Sequence, residues 1–403
     1  MDKIRLAVVS PFLDKQNGTE RIVIEWLSNL PPTFEIHIYS QRVEDIDPSK
    51  YVFHQIPRLP GPHLFNFLWW LIANRLWRIW DQLVRGIRHD IVYSPGANCL
   101  DADAISIHII FAEYICKMSS KLKLLGNPIA SWPRNLHRRI YYRVAMMMER
   151  AAYTNTQTTL VLYAKKTATE LERHYGRLGP FPVLYLGIDH SVFNRNRRLA
   201  LRGTARHALN LEPAIFTVLL IGNDWLNKGL FVLLNAIAKL HEPSIHVLAV
   251  GREDPAPYEG LVRESGLNGR VHFLPPRSDV ELYYAAADIF AGTSLEDTFA
   301  LPSEEAMACG LPVIVSSTNG TSEIITDGED GLILVDPTDT DTLAAMIRRL
   351  YADANFRNRL GTSAAETAER YTWERNGRDL AEIFRAIIQR KAKPSRESIA
   401  QEL

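Results

Sequence analysis

The stretch "DIFAGTSLEDTFALPSEEAMACGLPVIVSS", residues 288–317, contains a strand, a short helix and a second strand in succession. Apolar runs at its two ends predict the buried strands "DIFAGTS" and "PVIVSS". Pro302 suits the first position of a helix, where its missing N–H costs nothing, and Gly310 suits the residue that ends one. The N-terminal amides of such a helix open beside the end of the first strand. The stretch therefore predicts one βαβ unit of a parallel sheet, with a turn that can meet a ligand.

Four carboxylates lie in residues 294–313 of this stretch, and they need not share one role. Glu304 and Glu305 fall in the first helical turn, where the helix dipole alone favours an acid. Neighbours on a helix point about 100° apart, so at most one of the two easily faces a ligand. Asp297 precedes the loop "TFAL", whose backbone amides could reach a sugar or a phosphate. Glu296 and Glu304 are the expected bystanders, the first on a loop and the second on the dipole.

The alternation of strand and helix extends in both directions from this stretch. In the first half of the chain, strands such as "IRLAVVSPF", "FEIHIYS" and "TTLVLYAKK" alternate with helical segments. The pattern restarts at "FTVLLIGN", residues 216–223. Because such alternation is typical of parallel sheets covered on both faces, we expect an α/β protein. It should have two Rossmann-like, doubly wound domains that face each other across a deep cleft.

The domain boundaries are expected near the middle of the chain and near its end. We predict an N-terminal domain over residues 1–195, a C-terminal domain over 196–375, and a C-terminal helix with a tail over 376–403. That helix could cross back to the N-terminal domain, and residues 392–403 are expected to fray. The polar, basic segment 194–209 is the expected linker.

Composition places the chain among ordinary globular proteins. It has 403 residues, of which 46% are hydrophobic and 23% charged, and no net charge. Residues 1–190 carry a net charge of +6 and the remainder −6, a balance that does not favour nucleic-acid binding as the main function. The three cysteines, Cys99, Cys116 and Cys309, show no metal-site spacing and are expected to be reduced thiols. With no signal peptide or membrane-spanning pattern, we expect a cytoplasmic protein.

Three more residues stand at the ends of predicted strands. Gly18 in "NGTER" allows a ligand to approach the backbone at a helix start, although a plain turn explains a single glycine equally well. Lys228 precedes Gly229 at another helix start, where a cation is unfavourable unless an anion binds it; a solvated lysine is the alternative. His108 in "AISIHII" is either a hydrogen-bonded core residue or a catalytic group.

Two segments of the N-terminal half carry a second hypothesis. The hydrophobic stretch 64–80 is interrupted by polar residues, and the stretch 117–143 is basic. We expect the first to be a helix buried under the sheet. The alternative is a surface that touches a membrane or a lipid-linked acceptor. The four tryptophans in 64–80 favour this alternative, because tryptophan prefers the membrane interface. The chain lacks phosphate-loop, "GxSxG" and metal-ligand spacings.

In order along the chain, these motifs resemble those of the family 4 retaining glycosyltransferases (glycosyl transferases group 1), which have the GT-B fold. The phrase "FALPSEEAMACGLPVIVS" is similar, without a gap, to the family's acidic motif, in which two acids lie eight positions apart. This register places Asp297 and Glu305 on the two acids; Glu296 and Glu304 have the same spacing but shift the rest of the motif by one. Further similar segments, in order, are "NGTER", "SIHIIF", "YLGIDHSVF", "IGNDWLNKG" and "TSEIITDGEDGLIL".

The resemblance implies transfer of a sugar from a UDP- or GDP-sugar to a glycan or a lipid-linked acceptor. It implies retention at the anomeric carbon, and neither a metal nor a cofactor. The donor would bind the C-terminal domain and the acceptor the N-terminal domain, in cell-surface polysaccharide or glycolipid synthesis. Contact with the inner face of a membrane would go through the N-terminal domain.

The resemblance also implies roles for individual residues. Lys228, Gly18 and the start of the helix at 302–305 would stabilise the diphosphate, and Asn223 stands where the family has an arginine. The remaining implied roles are Glu305 at the ribose hydroxyls, Asp297 with the amides of Phe299, Ala300 and Leu301 at the hexose hydroxyls, and His108 at the sugar or the reacting centre. Three alternatives stay open on the same fold: a nucleotide-sugar epimerase, a phosphorylase and a non-catalytic sugar-binding protein.

Overall fold

The computed structural model describes residues 3–15, 18–61, 63–118 and 132–392. Within these ranges the chain divides into two compact units. The first comprises residues 3–112, 132–185 and 373–392, and the second comprises 113–118 and 186–372. Asn17 of the predicted glycine-containing turn, residues 119–131 of the basic stretch 117–143 and the tail beyond residue 392 lie outside the described residues.

The first unit is built on a parallel sheet. Its strands, in chain order, are β1 (Ile4–Val9), β2 (Phe12–Leu13), β3 (Phe34–Ser40), β4 (Arg42–Val43), β5 (Val52–Gln55), β6 (Ile91–Pro95), β7 (Ala104–Ile107) and β8 (Thr159–Leu162). Among the described strands the sheet order is β5-β3-β1-β6-β7-β8, and β2 pairs separately with β4. Leaving out that small pair, this is the 3-2-1-4-5-6 order of doubly wound folds. Ligands of such sheets bind beyond the carboxyl ends of the strands.

Helices cover this sheet. They are α1 (Gly18–Asn29), α2 (His63–Val84), α3 (Phe111–Met118), α4 (Trp132–Tyr153) and α5 (Lys166–Tyr175), with a 3₁₀ turn at Pro48–Lys50. From Leu6 to Val9 the central strand β1 is fully buried, because a parallel strand with helices on both faces has no solvent side. The residues of α3 that follow Ala112 belong to the second unit.

The helix α2 corrects one prediction. The stretch 64–80 is helical, but it is not buried under the sheet on all sides. Trp70 and Ala73 face the core, whereas apolar side chains at helical spacing are exposed along the other face: Phe65, Leu68, Ile72, Leu76, Ile79, Trp80 and Leu83. The polar residues that interrupt the stretch are instead largely buried, and Arg78 donates to Asn74 at 3.1 Å and to Asp101 at 2.6 Å. Most of these buried polar atoms have partners nearby, although the Nε of Arg78 has none among the described residues.

The second unit repeats the same design. Its strands are β9 (Phe216–Ile221), β10 (Ile245–Val250), β11 (Val271–Leu274), β12 (Ile289–Gly292), β13 (Val313–Ser316) and β14 (Leu332–Leu334). They form a parallel sheet in the order β11-β10-β9-β12-β13-β14, again 3-2-1-4-5-6 among the described strands. Its helices are α6 (Arg195–Ala208), α7 (Leu230–Leu240), α8 (Ala256–Glu264), α9 (Glu281–Ala286), α10 (Leu301–Ala308), α11 (Thr340–Ala352) and α12 (Ala354–Ala368), with a 3₁₀ turn at Gly320–Ile324.

The segment predicted as a linker is in fact a helix of the second unit. Asn194 caps α6 by accepting from the amide of Arg197 at 2.8 Å, as an N-cap asparagine does. Arg202 then reaches Asp288 at 2.6 Å, and Arg206 donates to the carbonyl of Ala286 at 3.1 Å. The basic residues that suggested a solvated linker bind the carbonyls and the acid at the end of α9 and the start of β12. The chain passes from the first unit to the second after Tyr185, about ten residues before the boundary expected at 195.

The last described helix, α13 (Trp373–Ala392), belongs to the first unit. It packs on α1 so closely that a Cβ added at Gly377 would lie 2.4 Å from the carbonyl oxygen of Asn29. Phe384 meets Trp26 and Tyr93 edge-to-face at ring distances of 6.2 and 5.7 Å. The unit therefore draws part of its core from the end of the described chain. Among the described residues, none of the helices combines the length and the apolar character needed to span a bilayer.

Candidate functional site

The centre of the candidate site is an ion pair between two loops of the second unit. The Lys228 ammonium donates to the carboxylate of Asp297. Lys228 lies in the turn between β9 and α7, and Asp297 in the loop between β12 and α10. Since β9 and β12 are neighbours in the sheet, the two loops leave its carboxyl edge side by side. The sequence predicted both residues as site residues, and the structure brings them together.

Glycines let these loops approach each other. Gly229 has a φ of +81°, and a Cβ there would lie 2.3 Å from the carbonyl oxygen of Thr293. A Cβ at Gly222 would lie 2.7 Å from the side chain of Lys228. Any larger residue would push Lys228 or the β12 loop away.

Asn227 is a residue of this site that the sequence analysis missed. Its side-chain amide donates to the carbonyl of Glu296 at 2.8 Å and accepts from the amide of Glu296 at 3.1 Å. Its own carbonyl accepts from the amide of Leu295 at 2.6 Å. The side chain of Asn227 thus bonds both backbone groups of Glu296, as a neighbouring strand would, and it fixes the register of the two loops. Its position next to Lys228 was the only signal in the sequence.

The start of α10 lies beside the same ion pair. Lys228, Ala300, Pro302 and Ser303 line one small cavity, with residues of β9 and β12 behind them. Leu301 occupies the first helical position and Pro302 the second, one place later than predicted. Gly310 has a φ of +67° after the helix, as a helix stop requires. The cavity therefore combines a cation with a helix N-terminus, which suits an anion.

One of the predicted amide donors is already engaged. The N–H of Ala300 donates to the hydroxyl of Thr321 at 3.2 Å, and the same hydroxyl donates back to the carbonyl of Ala300. Phe299, Ala300 and Leu301 are all buried. A sugar hydroxyl that binds the Ala300 amide, as predicted, would therefore have to displace the Thr321 hydroxyl of the 3₁₀ turn at Gly320–Ile324.

Glu305 lies apart from the Lys228–Asp297 pair. Its side chain is buried and accepts a hydrogen bond from the Tyr284 hydroxyl at 2.6 Å. Tyr284 packs edge-to-face on Phe193 at 5.7 Å. Of the two acids of the predicted motif, Asp297 thus precedes α10 and Glu305 lies within it.

Glu304 and Glu296, the two expected bystanders, are both buried. Glu304 is fully buried, and neither carboxyl oxygen has a hydrogen-bond partner among the described residues. Burial, together with the nearby charge of Glu305, raises the pKa of Glu304 well above its ordinary value. Glu296 is also buried and binds Lys117 at 2.5 Å. Because Asp297 and not Glu296 holds Lys228, the geometry agrees with the chosen register.

Asn223 lies at the carboxyl end of β9, where it was predicted to bind the donor. Its side-chain oxygen accepts from the amide of Arg252 at 3.2 Å. Asn223 is exposed, and it ties the turn after β9 to the turn after β10. Among the described residues of this turn, the cation that binds Asp297 is Lys228.

His108 lies in the first unit, directly after β7. Its Nε2 lies 2.8 Å from the Ser106 hydroxyl and 3.4 Å from that of Tyr163, and its Nδ1 has no partner among the described residues. Desolvation lowers the pKa of His108 to about 3, so the ring is neutral at neutral pH. A neutral ring held through Nε2 presents Nδ1 as its remaining hydrogen-bonding atom.

Gly18 is the first residue of α1 and is exposed, with open space around the position of a Cβ. Packing within the protein does not demand a glycine there. A separate cavity lies at the carboxyl ends of β1, β3 and β6, lined among others by Glu20, Gln41, Asn66, Trp70 and Tyr141. Within each unit, the described residues do not bring three metal-ligating side chains to one point.

Part of the C-terminal half is similar to a known family. Residues 215–353 match the family model described as glycosyl transferases group 1. A D-inositol 3-phosphate glycosyltransferase of Stackebrandtia nassauensis is 32% identical over 228 residues, which cover 53% of this chain and 50% of that protein. The chain thus spans about half the length of the curated relatives it matches. The predicted resemblance to group 1 glycosyltransferases is confirmed.

Solved structures extend the likeness to nearly the whole chain. WaaG, described as a glycosyltransferase involved in lipopolysaccharide biosynthesis, superposes with a TM-score of 0.76 at 20% identity, covering 94% of this chain and 99% of that one. HepE of Anabaena, solved with UDP and glucose, gives a TM-score of 0.69 at 18% identity, covering 95% and 99%. At such identities the likeness shows the fold alone. The predicted GT-B fold, with two Rossmann-like domains, is confirmed.

Proposed function

We propose that this GT-B protein is a retaining glycosyltransferase that uses a nucleotide-diphosphate sugar as its donor. One observation carries the proposal: Lys228, paired with Asp297, shares a cavity with the start of α10. A nucleoside diphosphate leaving group gains negative charge as the sugar departs. A cation and the positive end of a helix dipole in a partly buried site are suited to stabilise that charge.

The residues around the cavity then take separate roles. The diphosphate would displace Asp297 as the partner of Lys228, which leaves the Asp297 carboxylate to accept from hexose hydroxyls. Glu305, held by Tyr284, would bind the ribose, and Phe299 and Leu301 would flank the sugar. In the proposed reaction the two positive groups, Lys228 and the helix start, meet the leaving-group charge without a metal ion or a cofactor.

The first unit would supply the acceptor side. Neutral His108 would hydrogen-bond the sugar through Nδ1, and exposed Gly18 would let a ligand approach the start of α1. The cavity that Gln41, Asn66, Trp70 and Tyr141 help to line combines aromatic rings with amides, the surface that sugars prefer. We assign it to the acceptor, a glycan or a lipid-linked sugar of polysaccharide or glycolipid synthesis. UDP or GDP is the proposed carrier, and the UDP seen in HepE makes UDP the first to test.

The exposed stripe of α2 supports a peripheral contact with a membrane. Seven apolar side chains between Phe65 and Leu83 face away from the core. Arg75 on this helix and Arg85 directly after its end are largely exposed. An apolar stripe edged by cations favours the surface of an anionic bilayer, where a lipid-linked acceptor would be found.

The direct test is binding and turnover with a panel of UDP-, GDP- and ADP-sugars. Calorimetry should give a dissociation constant below about 1 mM for at least one nucleotide. Lys228→Met should weaken it by about tenfold or more, whereas Lys239→Met, which removes an exposed lysine bound to Asp341 in the same unit, should not. NMR of the product should show the anomeric configuration of the donor. A protein that binds none of the nucleotide-sugars at millimolar concentration would refute the proposal.

The same experiments separate the alternatives. An epimerase would convert the donor sugar with no acceptor present. A pyridoxal-dependent phosphorylase would show the absorbance band of its cofactor in the purified protein. A non-catalytic sugar-binding protein would bind the donor but show no turnover that Asp297→Ala could abolish.

A further inference from the structure

One face of α3 contacts both loops of the candidate donor site. Tyr114, Lys117 and Met118 are spaced three and four residues apart, so they lie on the same side of the helix. The Tyr114 hydroxyl donates to Asp224 at 2.8 Å, in the turn after β9. Lys117 binds Glu296 at 2.5 Å, in the loop after β12. Met118 packs against Leu226 and Leu295, one from each loop.

The start of α3 is also anchored. Glu149 on α4 is buried and accepts from the amide of Phe111 at 2.8 Å. The Tyr175 hydroxyl donates to the other oxygen of the same carboxylate. A carboxylate at a helix N-terminus satisfies an amide that would otherwise lack a partner. The first residue of α3, three positions after His108, is therefore fixed within the first unit.

Charge gives this arrangement a direct consequence for Lys228. Glu296 and Asp297 are adjacent acids, and each has its own lysine: Lys117 for Glu296 and Lys228 for Asp297. Glu113, one turn before Lys117, accepts from the same ammonium at 3.2 Å. Without Lys117, the buried carboxylate of Glu296 would lose this cation, and the loop after β12 would lose its ion pair to α3. A loop released from α3 would hold the adjacent Asp297 less firmly against Lys228, and with it the geometry that a diphosphate meets.

We propose that Tyr114 and Lys117 are positioning residues for the donor site. Lys117 holds Glu296 and with it the loop that carries Asp297, and Tyr114 holds the turn that carries Lys228. The expected effect of these two residues on nucleotide binding rests on the proposed function, whereas their expected effect on the two loops does not. Neither residue needs to touch the donor.

The test compares Lys117→Met, Lys117→Arg and Tyr114→Phe with the exposed-lysine variant Lys239→Met. Lys117→Met should weaken UDP binding by about tenfold and reduce donor turnover at low donor concentration more than at saturation. Lys117→Arg should restore most of the affinity, because it keeps the charge. Tyr114→Phe, a milder change that is expected to fold, should shift the affinity in the same direction by less, and Lys239→Met should not change it.

Hydrogen exchange makes the inference independent of nucleotide binding. In Lys117→Met without ligand, amides of residues 223–229 and 293–298 should exchange faster, while the strands of the second unit keep their protection. If no nucleotide binds even to the wild-type protein, the proposed function fails, but this exchange result would still support the positioning role. Unchanged exchange in both loops, or UDP affinity equal to wild type in Lys117→Met, would overturn it.

Discussion

At the scale of single residues, the motif acids show how far a sequence pattern can assign roles. The register of the acidic motif selected Asp297 as a site residue, and the structure pairs that residue with Lys228, a contact that the sequence did not predict. The same pattern could not predict that Glu304 is fully buried, because a dipole-stabilised acid on a helix start and a buried acid have identical local sequence. The orientation of α10 against the core decides between them. The partner of Glu296 lies 179 residues away in the chain, a distance at which local patterns carry no information.

Glu304 leads to a prediction about stability. Because its pKa in the folded protein is raised above the ordinary value of 4.5, the folded state holds a proton that the unfolded chain releases. Its contribution is complete below pH 4.5 and is lost as pH rises towards the folded-state pKa. We expect Glu304→Leu to raise the free energy of unfolding by about 2 kcal/mol at pH 7.5, and by less at pH 5.

Thermal and denaturant unfolding at both pH values would measure this change. Glu259→Leu, which removes an exposed acid from the first turn of α8, serves as the control and should be neutral or slightly destabilising at both pH values. A loss of stability in Glu304→Leu at pH 7.5 would show that the carboxyl group has a stabilising partner.

At the scale of secondary-structure elements, periodicity predicted most strands and helices, but the predictions for the segment 194–209 and for the burial of α2 were wrong. The strand–turn–helix units around Lys228 and Asp297 were predicted because turn residues and apolar runs agree there. The linker prediction for 194–209 failed because basic residues that bind helix-end carbonyls, such as Arg202 and Arg206, look like solvated ones in a sequence. For α2, hydrophobicity predicted burial, but the apolar stripe faces outwards and the polar residues inwards.

The inverted helix α2 leads to the second prediction. We expect the protein to co-sediment with vesicles that contain anionic lipid at low salt, and to be released at high salt, because screening weakens the attraction of Arg75 and Arg85. Ile72→Ser combined with Leu83→Ser should reduce the bound fraction by several-fold. Leu178→Ser, which removes a comparably exposed leucine outside the stripe, should not. Equal sedimentation of the double variant and the wild type would exclude the α2 stripe as the contact surface.

At the scale of the whole molecule, acid should affect the two units differently. The first unit buries a cluster in which His37 lies 2.9 Å from His54, and His54 2.6 Å from Asp81. The ring of His89 packs edge-to-face on His37 at 5.0 Å. Burial, opposed by Glu35 and Asp81, lowers the pKa of His37 and His54, and burial with the neighbouring histidines lowers that of His89 to about 3. All three are therefore neutral in the folded unit at neutral pH.

The third prediction follows from the sign of these shifts. Below the ordinary histidine pKa of 6.5, the unfolded chain binds protons that the folded cluster refuses. The stabilisation is thus present above pH 6.5 and is lost as pH falls towards about 3. Calorimetry between pH 7.5 and 5 should show the transition of the first unit moving to lower temperature by more than that of the second. In His89→Phe this difference should shrink, and an unchanged pH response in that variant would exclude His89 as a contributor.

The position of α13 has a consequence for how the protein is made. The ribosome would release the second unit, up to Thr372, before it releases the helix that covers Trp26 and Phe34 of the first. The half that is synthesised first is thus completed last, and during translation it would expose the aromatic side chains that Phe384 later covers. An N-terminal fragment that ends at the mid-chain boundary would leave these aromatic side chains uncovered, whereas α13 added as a separate peptide should cover them.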